Sequence, residues 1–160
     1  MVTRTLSETD VWKILEEVPD PELPALSIID LNIVRSVKVS NEEVEIEITP
    51  TFVGCPALDS IVDAIRAKML SKGLKSARIQ KNYAARWSTD MLSPSARSKL
   101  EIMGIAAPAL SSNVIVEVPT ACPYCKSKHT QLENPFGATL CKKLYYCNSC
   151  RQSFEKFRTL

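Results

Sequence analysis

The first regular pattern of apolar positions in the chain is helical. Ser7 and Asp10 have the spacing of a capping box, which satisfies backbone N–H groups at a helix start. Pro19 and Pro21 follow and cannot continue a helix. Apolar residues recur at helical spacing between these signals, at Val11, Ile14, Leu15 and Val18. The pattern predicts an amphipathic helix that ends before Pro19.

Two strand-like segments come next. Residues 33–39 are rich in β-branched side chains, and residues 44–48 alternate strictly between apolar and acidic positions. The polar residues 40–42 separate them, so the pair is typical of a hairpin with one buried face. A third strand is predicted at residues 77–81.

Two further helices are predicted. The first carries one apolar stripe and ends at Gly73; the stripe consists of Leu58, Ile61, Val62, Ile65 and Met69. The second begins at Ser93 and Pro94, a favourable cap and first-turn pair, and ends at Gly104. The order of elements predicts an α+β domain, with helices packed on a small mixed sheet.

The chain is expected to have three parts. Residues 1–105 form the α+β domain, residues 106–117 form a linker, and residues 118–160 form a cysteine-rich module. No apolar run approaches the roughly 18 residues of a membrane span, and the first ten residues lack the apolar region of a secretory signal. We therefore expect a cytoplasmic protein without membrane association.

The reducing cytoplasm changes how the six cysteines are interpreted, because closely spaced cysteines there are more often metal ligands or redox groups than disulfides. Cys122 and Cys125 form one CxxC pair, Cys147 and Cys150 form a second, and 21 residues separate the two pairs. Two such pairs supply the four thiolates of a tetrahedral site. The spacing favours a structural zinc ion in a zinc ribbon, with an iron–sulfur cluster and redox chemistry as alternatives.

Two other residues of the tail are possible ligands. Cys141 lies six residues before Cys147 and either replaces a ligand or packs in the ribbon; packing is the preferred interpretation. His129 is the only histidine, and with four cysteines available it is expected to be a surface bystander.

The net charge of +2 conceals an uneven distribution. Residues 1–117 carry 13 Lys/Arg against 16 Asp/Glu, whereas residues 118–160 carry 7 against 2. Four thiolates on a divalent cation would reduce the tail's excess to about +3. This charge is small for a nucleic-acid binder and argues against nucleic acid as a partner. The aromatic residues of the tail are interpreted instead as the ribbon core; they are Tyr145, Tyr146, Phe154 and Phe157.

The main domain contains one cysteine, Cys55, between Gly54 and Pro56 where the second helix should begin. Helix N–H groups at this place would favour a thiolate, which is a nucleophile or a soft metal ligand. The alternative is a cysteine that only packs under the loop. Asp20 and Glu22 present carboxylates on a proline-stiffened turn, while Thr49 and Thr51 precede Cys55 with hydroxyl groups. No histidine is near in sequence, which argues against a Cys–His mechanism.

Several stretches resemble the metal-sulfur cluster biosynthesis (iron–sulfur assembly) family. They are Asp20-Pro-Glu-Leu-Pro, residues 27–34 (SIIDLNIV), residues 49–57 (TPTFVGCPA) and residues 87–90 (WSTD). The tail, at residues 136–147 (FGATLCKKLYYC) and 154–157 (FEKF), is similar to the PaaD (PaaJ) type of phenylacetate-CoA oxygenase subunit. The iron–sulfur assembly family usually has Gly where this chain has Asn32. Asn also tolerates left-handed backbone angles, so the turn at this position is expected to survive.

The resemblance implies a non-catalytic accessory protein that assists iron–sulfur or iron centre maturation in the oxygenase that epoxidises phenylacetyl-CoA. By position, it places the candidate functional residues at Asp20, Thr49 and Cys55. It also implies a transient iron–sulfur cluster, oxygenase or reductase components as partners, and a homodimer, because one cysteine per chain leaves a cluster under-ligated. The alternative is a structural or regulatory subunit whose ribbon binds a protein. An independent enzyme is disfavoured, because the chain has no phosphate-binding glycine loop, no carboxylate–histidine iron motif and no dinucleotide fingerprint.

Overall fold

The computed structural model describes residues 6–40, 43–74, 76–110 and 119–159. The chain divides into two compact units, an N-terminal unit at Met1–Trp87 and a C-terminal unit at Ser88–Leu160. Each unit has its own sheet and its own buried apolar residues.

Two helices cover the apolar core of the N-terminal unit. Helix α1 (Glu8–Glu16) starts with the predicted capping box, because the Asp10 amide donates to Ser7 Oγ (3.2 Å) and the Ser7 amide donates to an Asp10 carboxylate oxygen (3.0 Å). Helix α2 (Ala57–Ser71) is followed by Gly73, whose φ of 88° is the left-handed angle typical of the residue after a helix terminus. Both predicted helices are confirmed. In the described ranges, no helix is both long and apolar enough to cross a lipid bilayer.

The sheet of the N-terminal unit is mixed. Strands β1 (Val34–Ser40) and β2 (Glu43–Ile48) pair antiparallel, and β3 (Ala77–Lys81) adds to β2 in parallel. The apolar positions of β2 are almost fully buried, while its acidic positions are not, as the alternation predicted. The predicted hairpin, third strand and fold class are confirmed.

Backbone hydrogen bonds fix the chain where it leaves β2 and β3. The Thr49 amide donates to Ile33 O (2.8 Å), and the Asn82 amide donates to Ile48 O (2.8 Å), so the chain leaving each strand is tied to its neighbour. Asn32 has a φ of 53°, which confirms that asparagine adopts the left-handed turn where the family usually has glycine.

The C-terminal unit contains a helix and a four-stranded sheet. A short 3₁₀ helix at Thr89–Met91 precedes helix α3 (Pro94–Ile102), which is capped as predicted by Ser93. The strands are β4 (Ile105–Ala106), β5 (Thr130–Asn134), β6 (Lys142–Cys147) and β7 (Ser153–Phe157). Their order is β4-β7-β6-β5, with β4 parallel to β7 and the other pairs antiparallel.

A small core holds this sheet together. Tyr145 and Phe154 stack with ring centroids 5.8 Å apart, and Ala106, Cys122 and Cys147 complete the cluster. Phe157 is also fully buried. The prediction that the tail aromatics form a ribbon core is confirmed for these three rings, whereas Tyr146 is only half-buried.

The division into units differs from the predicted domain limits. Helix α3 lies in the C-terminal unit, and strand β4 pairs with β7, so residues predicted for the α+β domain and for the start of the linker belong to the ribbon's sheet. Most of the predicted linker, residues 111–117, lies outside the described residues together with residue 118. The limits 1–105, 106–117 and 118–160 therefore stay a prediction.

Candidate metal centre and reactive thiol

Two similar turns carry the four tail cysteines. In the first, the Cys122 amide donates to Ser127 O (2.9 Å) and the Lys126 amide donates to Cys122 O (2.9 Å). In the second, the Cys147 amide donates to the Gln152 carbonyl (2.9 Å) and the Arg151 amide donates to the Cys147 carbonyl (2.8 Å). The two turns, called knuckles below, thus share one hydrogen-bond pattern. Each directs two sulfur atoms toward the other knuckle.

The four sulfurs form one compact cluster. All lie within 4.8 Å of one another; Cys122 Sγ is 3.7 Å from Cys150 Sγ, and Cys125 Sγ is 3.5 Å from Cys147 Sγ. A disulfide would need about 2.05 Å between sulfurs. A tetrahedral zinc ion with Zn–S bonds of about 2.3 Å places its sulfurs about 3.8 Å apart. The spacing and the thiol chemistry therefore fit a tetrahedral metal ion better than crosslinks.

The electrostatics of the cluster also favour a cation. The Cys150 and Ser149 amides donate to the sulfur of Cys147 and lower its pKa to about 7, against the opposing effect of burial. Burial, together with the neighbouring sulfurs, raises the pKa of Cys150 to about 12. The surroundings of one sulfur in this cluster therefore favour its thiolate, while those of another oppose it. A bound cation removes this conflict, because it stabilises all four thiolates at once.

The two remaining candidates of the tail lie outside the cluster. His129 is exposed, and its backbone amide donates to Ser127 Oγ (3.1 Å). Cys141 is buried, with its sulfur 3.0 Å from the Thr139 hydroxyl. Neither residue belongs to the group of four sulfurs, so the geometry agrees with the packing role expected for Cys141 and the bystander role expected for His129.

A backbone feature of the knuckles was not predicted. Lys126 and Arg151 occupy matching knuckle positions, with φ of 61° and 59°, in the left-handed region that costs a non-glycine residue about 1–2 kcal/mol. The only signal in the sequence is their position directly after the second cysteine of each pair.

This strain gives a stability prediction. Arg151→Gly relieves the strained angle, which stabilises the folded chain. Glycine also gives the unfolded chain more conformational entropy, which offsets part of this gain. We expect a net increase of about 0.5–1 kcal/mol in the free energy of unfolding. Arg151→Ala removes the same charge but keeps the Cβ, so it should not stabilise. Thermal unfolding of the metal-loaded chain measures both. Equal changes for the two variants would contradict this explanation.

The second candidate site surrounds Cys55. A tight turn precedes it, with the Cys55 amide donating to Phe52 O (3.2 Å) and with Gly54 at φ 84°. Pro56 is the N-cap of α2, so Cys55 lies immediately before the helix. The half-buried Cys55 sulfur interacts with the Ala57 amide and the Thr51 hydroxyl.

The Asp20 loop reaches the same place. Asp20 is buried, and one carboxylate oxygen accepts the Glu22 amide (2.9 Å) and the Leu23 amide (2.8 Å). Both Asp20 and Glu22 are near enough to act electrostatically on Cys55, and Glu22 acts more strongly. Thr49 is buried, and its hydroxyl has no hydrogen-bond partner in the described part of the chain. Of the polar residues named from the sequence, Asp20, Glu22 and Thr51 thus act on Cys55, whereas no interaction of the buried Thr49 with Cys55 is seen in the described residues.

The prediction that the helix start favours the Cys55 thiolate is wrong in its net direction. Burial raises the pKa of Cys55, and the carboxylates of Glu22 and Asp20 raise it further. The Ala57 amide and the Thr51 hydroxyl lower the pKa, but they do not outweigh burial. The expectation for the thiolate considered the helix terminus but not burial or the charge of the Asp20 and Glu22 carboxylates, which act in the opposite direction.

A pH prediction follows for Cys55. Because its pKa is raised, alkylation by iodoacetamide at pH 8 should be slower than for an ordinary thiol, and the rate should still increase above pH 9. Glu22→Gln removes one negative charge and should shift the rate profile to lower pH, while Glu16→Gln, an exposed change on α1, should leave it unchanged. Mass spectrometry of the Cys55 peptide measures the rate. Identical profiles for the wild-type chain and Glu22→Gln would contradict the electrostatic explanation.

Comparison with known proteins identifies two family models along the chain. Residues 8–80 match the iron-sulfur cluster assembly protein model, and residues 108–158 match the model of the PaaD zinc beta ribbon domain. The first match contains Asp20, Thr49 and Cys55, and the second contains all four cysteines of the cluster.

Two curated relatives match at the level of sequence. A subunit of the "Putative 1,2-phenylacetyl-CoA epoxidase" of Escherichia coli (strain K12) is 40% identical over 94% of this chain and 92% of its own length. An "Fe-S protein maturation auxiliary factor" of Porphyromonas gingivalis (strain ATCC BAA-308 / W83) is 34% identical over 59% of this chain and 90% of its own length.

Solved structures share the fold of part of the chain. A DUF59 domain from Bacillus anthracis has a TM-score of 0.56 and 28% identity, and it covers 59% of this chain and 92% of that domain. A conserved hypothetical protein from Thermotoga maritima has a TM-score of 0.53 and 22% identity, covers 62% of this chain and 98% of that protein, and shows the fold alone.

Proposed function

This chain belongs to the PaaD family of phenylacetyl-CoA epoxidase proteins, and we propose that it is an accessory protein for iron–sulfur or iron centre assembly in such an oxygenase system. Two relatives together support this role: the epoxidase subunit of Escherichia coli and the Fe-S protein maturation auxiliary factor of Porphyromonas gingivalis. The proposed partners are the oxygenase or reductase components of the complex. The proposed role is not that of a catalytic subunit.

The observation that carries the proposal is the setting of Cys55. Its sulfur lies directly before α2, where it interacts with the Ala57 amide and the Thr51 hydroxyl and is within electrostatic range of the Glu22 and Asp20 carboxylates. A thiol with carboxylates in its surroundings combines soft and hard ligands for iron. Iron binding would displace the thiol proton, because the cation reverses the effect of the acidic neighbours.

One thiol cannot hold a cluster alone. Iron–sulfur clusters are held by four protein ligands, and Cys55 is the only cysteine of the N-terminal unit. We therefore propose that the cluster is a transient cargo whose remaining ligands come from a second copy of the chain or from the client. The homodimer is part of this proposal.

The four-cysteine ribbon is assigned a separate role. We propose that Cys122, Cys125, Cys147 and Cys150 hold one zinc ion, which stabilises a unit with a small core. The stable ribbon then docks the chain on its client, and the excess of basic residues in the tail suits an acidic protein surface.

Anaerobic reconstitution tests the assignment of Cys55. The ribbon must first be loaded with zinc, because four free thiols would bind iron themselves and give a false signal. Ferrous iron and sulfide are then added, and we expect a visible charge-transfer absorbance that Cys55→Ser abolishes. Cys141→Ala, a buried thiol outside both sites, should retain it. A Cys55→Ser chain that acquires the full chromophore would refute the assignment.

One observation favours a second candidate function. The raised pKa of Cys55 keeps the thiol neutral, which also suits a structural subunit with an inert cysteine. Under that alternative, Cys55→Ala would co-purify with the oxygenase components and leave their activity intact. If the chain is an assembly factor, the complex should still form with Cys55→Ala, but its iron content and its activity should fall.

A further inference from the structure

The four cysteines of the metal centre differ in their exposure to solvent. Cys122 and Cys147 have no exposed surface and belong to the ribbon core with Tyr145 and Phe154. The second cysteine of each pair is less buried: Cys125 is exposed, and Cys150 is half-buried. Cys122 and Cys147 therefore lie within the apolar core, Cys150 packs against it, and Cys125 is the cysteine most open to water.

We propose that this metal centre exchanges its ion at the exposed cysteine, with Cys125 as the ligand that is replaced first. An incoming carboxylate or thiolate would form a bond to the metal as the bond to Cys125 breaks, and the released sulfur would take a proton from water. The other three sulfurs would then be replaced in the same way as the ion leaves. No atom changes its oxidation state. Cys122 and Cys147 hold the ion while Cys125 is replaced, because their sulfurs are anchored in the core.

The charges in the two cysteine segments suit an anionic ligand. The segments 121–129 and 147–152 contain Lys126, Lys128 and Arg151, all exposed, and no aspartate or glutamate. Glu101 of α3 meets one of these cations, with Lys126 Nζ 3.3 Å from its carboxylate. Electrostatic attraction therefore favours a metal acceptor with carboxylate or thiolate ligands over a neutral one.

An enclosed site would behave differently. If all four sulfurs were buried, the metal could leave only after the ribbon opened, and the rate would not depend on the concentration of the acceptor. Exchange by direct attack gives a rate that increases with the acceptor. This difference separates the two kinds of site without any assay of an oxygenase, and it does not involve Cys55.

The test uses the full chain loaded with zinc and the anionic chelator 4-(2-pyridylazo)resorcinol, whose absorbance reports metal transfer. We expect the transfer rate to increase in proportion to the chelator concentration and to fall with added salt. Lys128→Gln should reduce the rate constant, whereas Cys55→Ser should leave it unchanged. A rate independent of chelator concentration would overturn the proposal.

Matched serine variants locate the replaceable ligand. Mutating only the residues that support metal ligands already lowers metal affinity by about 10- to 100-fold. Replacing the ligand in Cys125→Ser should therefore accelerate zinc transfer to the chelator by about tenfold or more. The Cys125→Ser chain should still purify with metal. Cys122→Ser puts a hydroxyl into the core of the same knuckle and should lose the metal during purification. Equal behaviour of these two variants would show that exposure has no role and would contradict the proposal.

Discussion

Removing the metal is expected to unfold the ribbon of the C-terminal unit and to leave the N-terminal unit folded. The ribbon's core is small, with two of its five buried members being the ligands Cys122 and Cys147. Short segments with so little apolar area depend on a metal for stability. A structural zinc site contributes about 10–16 kcal/mol of binding free energy, which is then folding free energy. The N-terminal unit has its own core and needs no such bond.

Two signals separate the units in this experiment. Both tryptophans, Trp12 and Trp87, lie in the N-terminal unit, and the indole of Trp87 donates to Leu31 O (2.8 Å). After excess EDTA, tryptophan fluorescence should hold its native value while trypsin cleaves within residues 119–159. Addition of zinc should restore protection. A metal-free chain that resists cleavage throughout this region would contradict the prediction.

Breaking the buried ion pair of the ribbon should produce the second large effect. Lys142 Nζ lies 2.8 Å from Glu155 Oε2, and only 7% of the lysine side chain is exposed. The other Glu155 oxygen accepts the Ala138 amide (2.7 Å). Glu155→Gln preserves the shape but leaves the ammonium group buried without its counter-charge, at a cost of about 3–5 kcal/mol. Urea unfolding of the metal-loaded chain measures the loss.

A double variant shows whether charge is the cause. Lys142→Met with Glu155→Leu removes both buried charges, and such replacements are often neutral or stabilising. We expect the pair to recover most of the stability lost in Glu155→Gln. If the double variant is as unstable as the single one, the cause is packing of the 135–141 loop rather than the ion pair.

Local signals in the sequence were sufficient for most of the elements. The helix starts at Ser7 and Ser93 depend on caps within three residues, and the strand at residues 43–48 depends on alternation within six. The four tail ligands were equally local, because each CxxC pair forms its own knuckle. Such patterns need no knowledge of distant contacts.

Features that depend on distant residues were not predicted. Strand β4 has only two residues and exists because it pairs with β7, about fifty residues later in the chain. The pKa of Cys55 depends on Glu22 and Asp20, more than thirty positions earlier. The unequal exposure of Cys122 and Cys125 depends on which cysteine meets Tyr145 and Phe154. Sequence spacing cannot show these relations, because they are set by tertiary packing.

X-ray absorption at the metal edge of the freshly purified full chain tests the central claim most directly. The claim is that the sulfurs of Cys122, Cys125, Cys147 and Cys150 surround one ion. It predicts one metal per chain with four sulfur neighbours at about 2.3 Å. A shell that contains nitrogen or oxygen ligands in place of sulfur, or a chain that is fully folded without any metal, would contradict it.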